Sequence, residues 1–481
     1  MTVSRNIHPL PYKEEYFEGF VEYFGKTEFR IGSGVSDELF ALWTELVSNF
    51  TAGTVKLAAV RDTSLPEFCA ATGTASPVIP DDEFSYRVRV NGNGASLESK
   101  DLEGLRYAFY TFLQLLQRRG DDCITGYAAP FCEVLDKPCL AFRGIHICIF
   151  PDTTLDTVKK YLYMAAFLKL NYVVVESWGG IKLDTFPCWK DRGYTKKELK
   201  PIFDRARLMG VELIPLFNSV GHAPASRDAQ GKNVILELEP QWTPYFEPYE
   251  YDWCISNPAV PVLLKKIRAE LYELFGESKY FHIGGDEAFF LGSCDRCRQY
   301  PIKDLALGYL NNLCEEVSAE GRRPMIWSDM FLDPEDWKDH DYVFANSKPE
   351  RPLKEILPEL DKRYLITDWQ YGVLKEDHTA THFMEQGFDT VLSSFRHPGN
   401  AEALAKSAKD EKAMGLLLTT WSWAEREFPF LVTRASHMWN EGAPTFIQPT
   451  IISTSIIRKL SPSGGYHDLS GWLHDHFDVD G

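Results

Sequence analysis

The chain has 481 residues, too many for one small domain and enough for a barrel with an accessory domain. Apolar residues make up 44% and charged residues 25%, the mix of a soluble globular protein. A net charge of −18 argues against nucleic acid or an anionic membrane surface as a partner, because both need basic patches. The opening segment, MTVSRNIHPLPYKEEYFEGF, lacks the apolar core and small-residue cleavage site of a signal peptide. No stretch approaches the roughly 20 apolar residues that span a bilayer. Ten scattered cysteines read as reduced thiols, so the expected location is cytoplasmic.

Residues 1–137 read as a separate α/β unit. Ser36 or Asp37 caps a helix running to about Phe50, and Lys56–Val60 reads as a strand. FSYRVRV (84–90) alternates apolar and polar residues, and the NGNG after it is a hairpin signal. A helix then runs from about Leu102 to Gln117, with Leu105, Phe109, Phe112, Leu113 and Leu116 on one face. The unit holds no cluster of acid, base and nucleophile, so support is its expected role.

From about Cys139, strands and helices alternate. Eight runs read as strands: Phe142–Ile149, Asn171–Glu176, Val211–Phe217, Tyr280–Gly284, Pro324–Trp327, Tyr364–Trp369, Thr390–Phe395 and Leu416–Trp421. Between them, Thr195 and Glu198 form a capping box, and Asn257–Pro258 starts another helix. This is the element count of a (β/α)8 barrel over residues 138–430, followed by a helical extension over 431–481. A doubly wound open sheet competes, but no glycine-rich phosphate turn follows its first strand. The terminal HDHFDVDG reads as a solvated tail.

In such a barrel, chemistry sits at the ends of strands. Those ends carry Glu176 and Trp178, Asn218 and His222, Asp286 and Glu287, Trp327 and Asp329, Asp368, Trp369 and Tyr371, and finally Trp421, Trp423 and Glu425, while Arg143 opens the first strand. Indole faces stack on the C–H faces of sugar rings, and carboxylates and arginine bind hydroxyls. Such a mouth suggests a carbohydrate pocket.

FHIGGDEAFFLG (281–292) is the densest stretch. Gly284 and Gly285 can turn the chain so that Asp286 and Glu287 face one cavity and not opposite sides of a sheet. Two acids held that close titrate as a coupled pair, which suits general acid chemistry. Just beyond lies a lone Cys294-x-x-Cys297. Without a second pair at ligand spacing it reads as structural or incidental, and no metal or cofactor is expected.

These residues resemble glycoside hydrolase family 20, the retaining β-N-acetylhexosaminidases. The likeness rests on Arg143–Gly144, a V-x-L-I-P…G-H segment ending at His222, HIGGDE (282–287), W-S-D (327–329) and a closing TTWSWAE. The LEGLRYAFYTFLQLL helix resembles one in the family's N-terminal domain. The resemblance implies substrate-assisted catalysis, in which the sugar's own 2-acetamido oxygen attacks C1. Asp286 would then orient the acetamido N–H and stabilise the oxazolinium-like intermediate, with Glu287 as general acid and base. It further implies that Arg143 binds ring hydroxyls and that Trp327, Trp369 and Trp421 wall the pocket. Glu425 would hold an outer hydroxyl, and His222 would tune Glu287. Asp329 and Trp423 fall among the expected substrate contacts, with Glu176, Asn218 and His282 behind them. The implied partner is an oligosaccharide or glycoconjugate ending in β-linked N-acetylhexosamine.

The chain departs from the family's pattern in places. VVVESWGG replaces an H-x-H-x-x-D-D-like segment, so Glu176 becomes a candidate to back His222. Asn218 stands where an aspartate is common. The expected Y-L-D is absent, which makes Tyr371 the candidate donor to the acetamido oxygen. Two other readings compete: a non-catalytic sugar-binding barrel, and a metal-dependent hydrolase with His222, His282, Asp286 and Asp329 as ligands.

Overall fold

The computed structural model describes residues 7–460 apart from 82, 120–125, 151, 187–192, 224–238, 341–342, 422–427, 441–455 and 458–459. Trp423, Glu425, the C-terminal tail and most of the stretch 451–460 therefore lie outside the described residues.

The N-terminal unit is a mixed sheet of β1 (Lys13–Tyr23), β2 (Gly25–Ile31), β3 (Val55–Arg61), β4 (Cys69–Thr72), β5 (Tyr86–Asn91), β6 (Gly94–Ser99), β7 (Gln117–Arg119) and β8 (Gly126–Asp136). Its order is β1-β8-β5-β6-β4-β2-β3, with β7 on β8. The expected NGNG hairpin joins β5 to β6, where Asn91 pairs with Gly94. The helix Leu102–Leu115 starts at Asp101, whose carboxylate accepts the Gly104 N–H at 2.7 Å. Its apolar face buries Leu105, Phe109, Phe112 and Leu113, each by about 1.5–3 kcal/mol. Its other side meets the barrel, where the Tyr110 hydroxyl donates to the Met209 carbonyl at 2.7 Å.

Eight parallel strands close the barrel: β9 (Phe142–Ile149), β10 (Tyr172–Ser177), β11 (Glu212–Leu216), β12 (Tyr280–His282), β13 (Arg323–Trp327), β14 (Leu365–Trp369), β15 (Asp389–Ser394) and β16 (Gly415–Leu418). The last strand pairs with the first through Leu417 and Gly144. Alternate residues point inward. Phe142, Tyr172 and Tyr280 plug the N-terminal end, with Phe142 stacked on Tyr172 at 4.4 Å. Val174, Ile214, Met325, Leu365, Val391 and Leu417 fill the interior, and Trp327 and Trp369 close it near the opposite mouth.

The inward position of Phe142 turns Arg143 outward, which corrects its expected role. Arg143 is buried at the N-terminal end of β9. Its guanidinium donates to the carbonyls of Lys169, Leu140 and Ala141 and to the Tyr107 hydroxyl at 2.7–3.2 Å, and it pairs with Glu103 at 3.3 Å. It ties the barrel to the helix Leu102–Leu115, away from the strand ends that carry Asp286. Nearby, Lys169 and Asp136 form a fully buried ion pair at 3.0 Å, and Trp439 Nε1 donates to the same carboxylate at 2.9 Å. The helix Phe428–Trp439 packs on β16, β9 and the helix Pro398–Asp410. It is thus the barrel's closing helix, and the expected break between barrel and extension at residue 430 falls inside it. No helix among the described residues is long and apolar enough to cross a membrane.

Candidate active site

The turn after β12 sets the site. Gly284 and Gly285 have φ of +71° and +97°, in the left-handed region that a side chain disfavours. A Cβ on Gly284 would lie 2.0 Å from Asn218 Oδ1, so the position also lacks room for one. The turn delivers Asp286 and Glu287 together. Glu287 itself has φ +47°, and its N–H donates to Asp329 Oδ2 at 2.9 Å. His222 at +48° and Trp421 at +26° share this strained geometry. Three such residues at one mouth fit a site held in a working shape by its surroundings.

His222 Nε2 stands 3.4 Å from Asp286 Oδ2, 3.3 Å from Glu287 Oε2 and 3.3 Å from the Tyr251 hydroxyl. One imidazole nitrogen thus faces both acids and can offset their repulsion. The Glu287 side chain is 37% exposed and can reach a leaving group. Asp286 is only 5% exposed, and its Oδ1 has no hydrogen-bond partner among the described residues. A buried carboxylate oxygen held this way is an acceptor awaiting a donor from a bound molecule.

Around the acids lies an aromatic bowl. Trp421 Nε1 donates to the Tyr371 hydroxyl oxygen at 2.5 Å. An indole N–H can only donate, so the Tyr371 oxygen accepts there, and it also stands 3.0 Å from Thr419 Oγ1. Burial first, and the Asp286 and Asp329 charges after it, hold that hydroxyl protonated. Trp369 lies 5.1 Å from Tyr371 and 4.5 Å from Phe344 between ring centres. Trp327 is fully buried beneath Trp421, His146 and His282, so it forms the floor under the bowl and not its lining.

Asp329 also lies behind the surface. It is wholly buried and accepts hydrogen bonds from the Glu287 N–H, from Asn346 Nδ2 at 2.8 Å and from Trp369 Nε1 at 3.1 Å. This arrangement positions Glu287 and Trp369 and leaves no open face for substrate. Burial, then the charge on Asp286, pushes the Asp329 carboxyl up to about 7. A carboxyl with a raised folded-state pKa holds its proton more tightly in the folded chain than in the unfolded one. Its contribution to stability is therefore largest near pH 4 and falls as pH rises toward 7. Thermal melts should show the Tm advantage of the wild type over Asp329→Asn shrinking across that interval and levelling above it. A gap that widens with pH would contradict this.

Glu176 accepts from Asn218 Nδ2 at 2.6 Å and contacts His146 Nε2 at 2.8 Å. It anchors a network inside the barrel that links β9, β10 and the end of β11. His282 is buried, and burial pushes its pKa well below the usual value. Its Nδ1 accepts the Gly284 N–H at 3.1 Å, so the neutral ring braces the turn. Asp252 adjoins His222. Burial raises its carboxyl to about 8, against the pull of the Phe290 N–H and of His222.

The structure brings His222, Asp286, Glu287, Tyr371, Trp369 and Trp421 together. It sets Trp327, Asp329, Glu176, Asn218 and His282 behind them and Arg143 elsewhere. Among the described residues, the set His222, His282, Asp286 and Asp329 does not converge as metal ligands. His146, Tyr251, Asp252 and Asn346 escape the sequence reading. The period of two that puts Phe142 and Gly144 inward does point to His146, whereas the other three sit in loops without a period.

Residues 183–408 match the family described as glycosyl hydrolase family 20, catalytic domain. That stretch runs from the loop after β10 to the helix before β16 and includes Asp286 and Glu287. The chain is 26% identical over 333 residues to a lacto-N-biosidase of Bifidobacterium bifidum, a match covering 63% of the chain and 28% of that protein. It is 26% identical over 316 residues to the beta-hexosaminidase subunit beta of Sus scrofa, covering 56% of the chain and 55% of the subunit. Its fold matches the exo beta-N-acetylglucosaminidase of Vibrio harveyi, solved with N-acetylglucosamine, at TM-score 0.68 and 16% identity over 97% of the chain and 77% of that structure. It also matches the beta-N-acetylhexosaminidase of Bacteroides fragilis at TM-score 0.66 and 18% identity, over 93% of each chain.

Proposed function

We propose that this protein is a retaining exo-β-N-acetylhexosaminidase that releases terminal β-linked GlcNAc or GalNAc with help from the substrate's own acetamido group. The observation that carries this reading is the buried Oδ1 of Asp286, without a hydrogen-bond partner among the described residues, beside a partly exposed Glu287. Two adjacent residues do not flank a sugar ring from opposite faces, as an acid and a protein nucleophile must. They do suit a reaction in which the nucleophile comes with the substrate. The acetamido oxygen closes onto C1, Asp286 accepts the acetamido N–H and offsets the developing positive charge, and Glu287 gives its proton to the leaving oxygen. Water then opens the oxazolinium ring as Glu287 takes a proton back. Tyr371 donates to the acetamido oxygen and aims it at C1, and Trp369 and Trp421 present apolar faces to the sugar. The match of residues 183–408 to family 20 and the N-acetylglucosamine bound by the Vibrio harveyi enzyme favour the same substrate class.

The test is selectivity. p-Nitrophenyl β-GlcNAc and β-GalNAc should be cleaved and the β-glucoside, which lacks the acetamido nucleophile, left nearly untouched. Cleavage of all three at similar rates would refute the reading. Binding of GlcNAc without turnover of any of them would favour a sugar-binding barrel instead.

A further inference from the structure

Cys294-x-x-Cys297 has a partner that the sequence conceals. The segment 246–254 folds back through an antiparallel bridge between Phe246 and Trp253, which brings Glu247 and Cys254 against the cysteine turn. Cys254 Sγ lies 3.5 Å from Cys294 Sγ and 3.7 Å from Cys297 Sγ. A Glu247 carboxylate oxygen lies 3.5 Å from Cys294 Sγ and 2.8 Å from Cys297 Sγ. All four donor atoms fall within 4.8 Å of one another. These separations are far too long for a disulfide, whose S–S bond is about 2.05 Å. A tetrahedral zinc with Zn–S near 2.3 Å and Zn–O near 2.0 Å sets its sulfurs about 3.8 Å apart and sulfur–oxygen pairs about 3.5 Å apart.

We propose that Glu247, Cys254, Cys294 and Cys297 form a structural zinc(II) site. The surroundings are those of a built site. Glu247, Cys254 and Cys297 are each at most 2% exposed. The Cys297 N–H donates back to Cys294 Sγ at 3.4 Å, a turn that holds both sulfurs toward one point. The Cys294 N–H donates to the second Glu247 oxygen at 2.5 Å, and Ser256 Oγ stands 3.0 Å from Cys297 Sγ, so the ligands are themselves oriented from behind. Three sulfurs and one carboxylate leave no open position, which marks a structural and not a catalytic metal. Binding converts the three thiols to thiolates and releases their protons.

The site joins two loops that flank the acids. One runs on from Glu287 to the cysteine turn. The other carries Tyr251 against His222, Asp252 accepting the Phe290 N–H at 2.9 Å, and Trp253 donating to the Asn218 carbonyl at 2.8 Å. The metal would thus brace the wall behind His222 without touching substrate.

The test is the metal content of the full chain purified without chelator. About one zinc per chain is expected in the wild type and in Cys139→Ser, whose thiol lies outside the cluster. Cys254→Ser and Cys297→Ser should lose most of it, and Glu247→Cys should keep it. Cobalt(II) added to the reduced, metal-stripped wild type should give a thiolate-to-metal charge-transfer band and the visible bands of a tetrahedral ion. This second measurement does not depend on any variant folding, and neither measurement depends on glycosidase activity. Wild-type protein that carries no zinc and gives no cobalt bands would overturn the site, as would a disulfide between Cys254 and Cys294 in freshly isolated protein.

Discussion

Glu287→Gln should lower kcat/KM for β-GlcNAc substrates by about 10²–10⁴-fold, the usual contribution of a positioned general acid–base group. The loss should depend on the leaving group. A nitrophenolate departs with little protonation, so its bond breaking suffers least, whereas a sugar or alkyl alcohol needs the proton and suffers most. Glutamine keeps the shape of the side chain and a hydrogen-bonding end near His222. At a position 37% exposed, its effect on folding should stay within about 0.5 kcal/mol. An equal loss for all leaving groups would assign Glu287 to binding and not to proton transfer.

Asp286→Asn should fall mainly on kcat, by about 10²–10³-fold, because in the proposed reaction the carboxylate works hardest when positive charge develops on the acetamido group. The change also removes the charge that helps raise the Asp329 carboxyl, which should therefore lose its proton at lower pH, though burial still holds it above the ordinary value. A rise in KM with kcat intact would mean that Asp286 only anchors the sugar.

Much of the barrel is legible in the sequence because short apolar runs stand between clear punctuation. Phe142–Ile149 forms a strand at the expected bounds, and the Thr195–Glu198 capping box is present. The run expected to reach Trp421 stops at Leu418 instead. Thr419 turns its hydroxyl to the Ser394 carbonyl and Tyr371, and Trp421 takes φ +26° to reach the same tyrosine. Strand propensity there yields to the site. β8 escapes detection because Pro130 interrupts its pattern. It is tolerated opposite Phe20, just past a register shift in β1. Arg143 misleads for another reason. A motif carries its residue type but not the face on which the strand presents it, and the aromatic plug at Phe142 decides that face. The cysteine cluster depends on a loop reversal over 246–254 that no periodicity announces.

In the proposed reaction the nucleophile belongs to the sugar. This is tested most directly by kcat/KM across p-nitrophenyl β-glucosaminides whose N-acetyl group carries zero, one, two or three fluorines. Each fluorine drains electron density from the amide oxygen while hardly changing its size. A steep, progressive fall along the series is the predicted result; a flat series would mean that the amide oxygen does not attack C1.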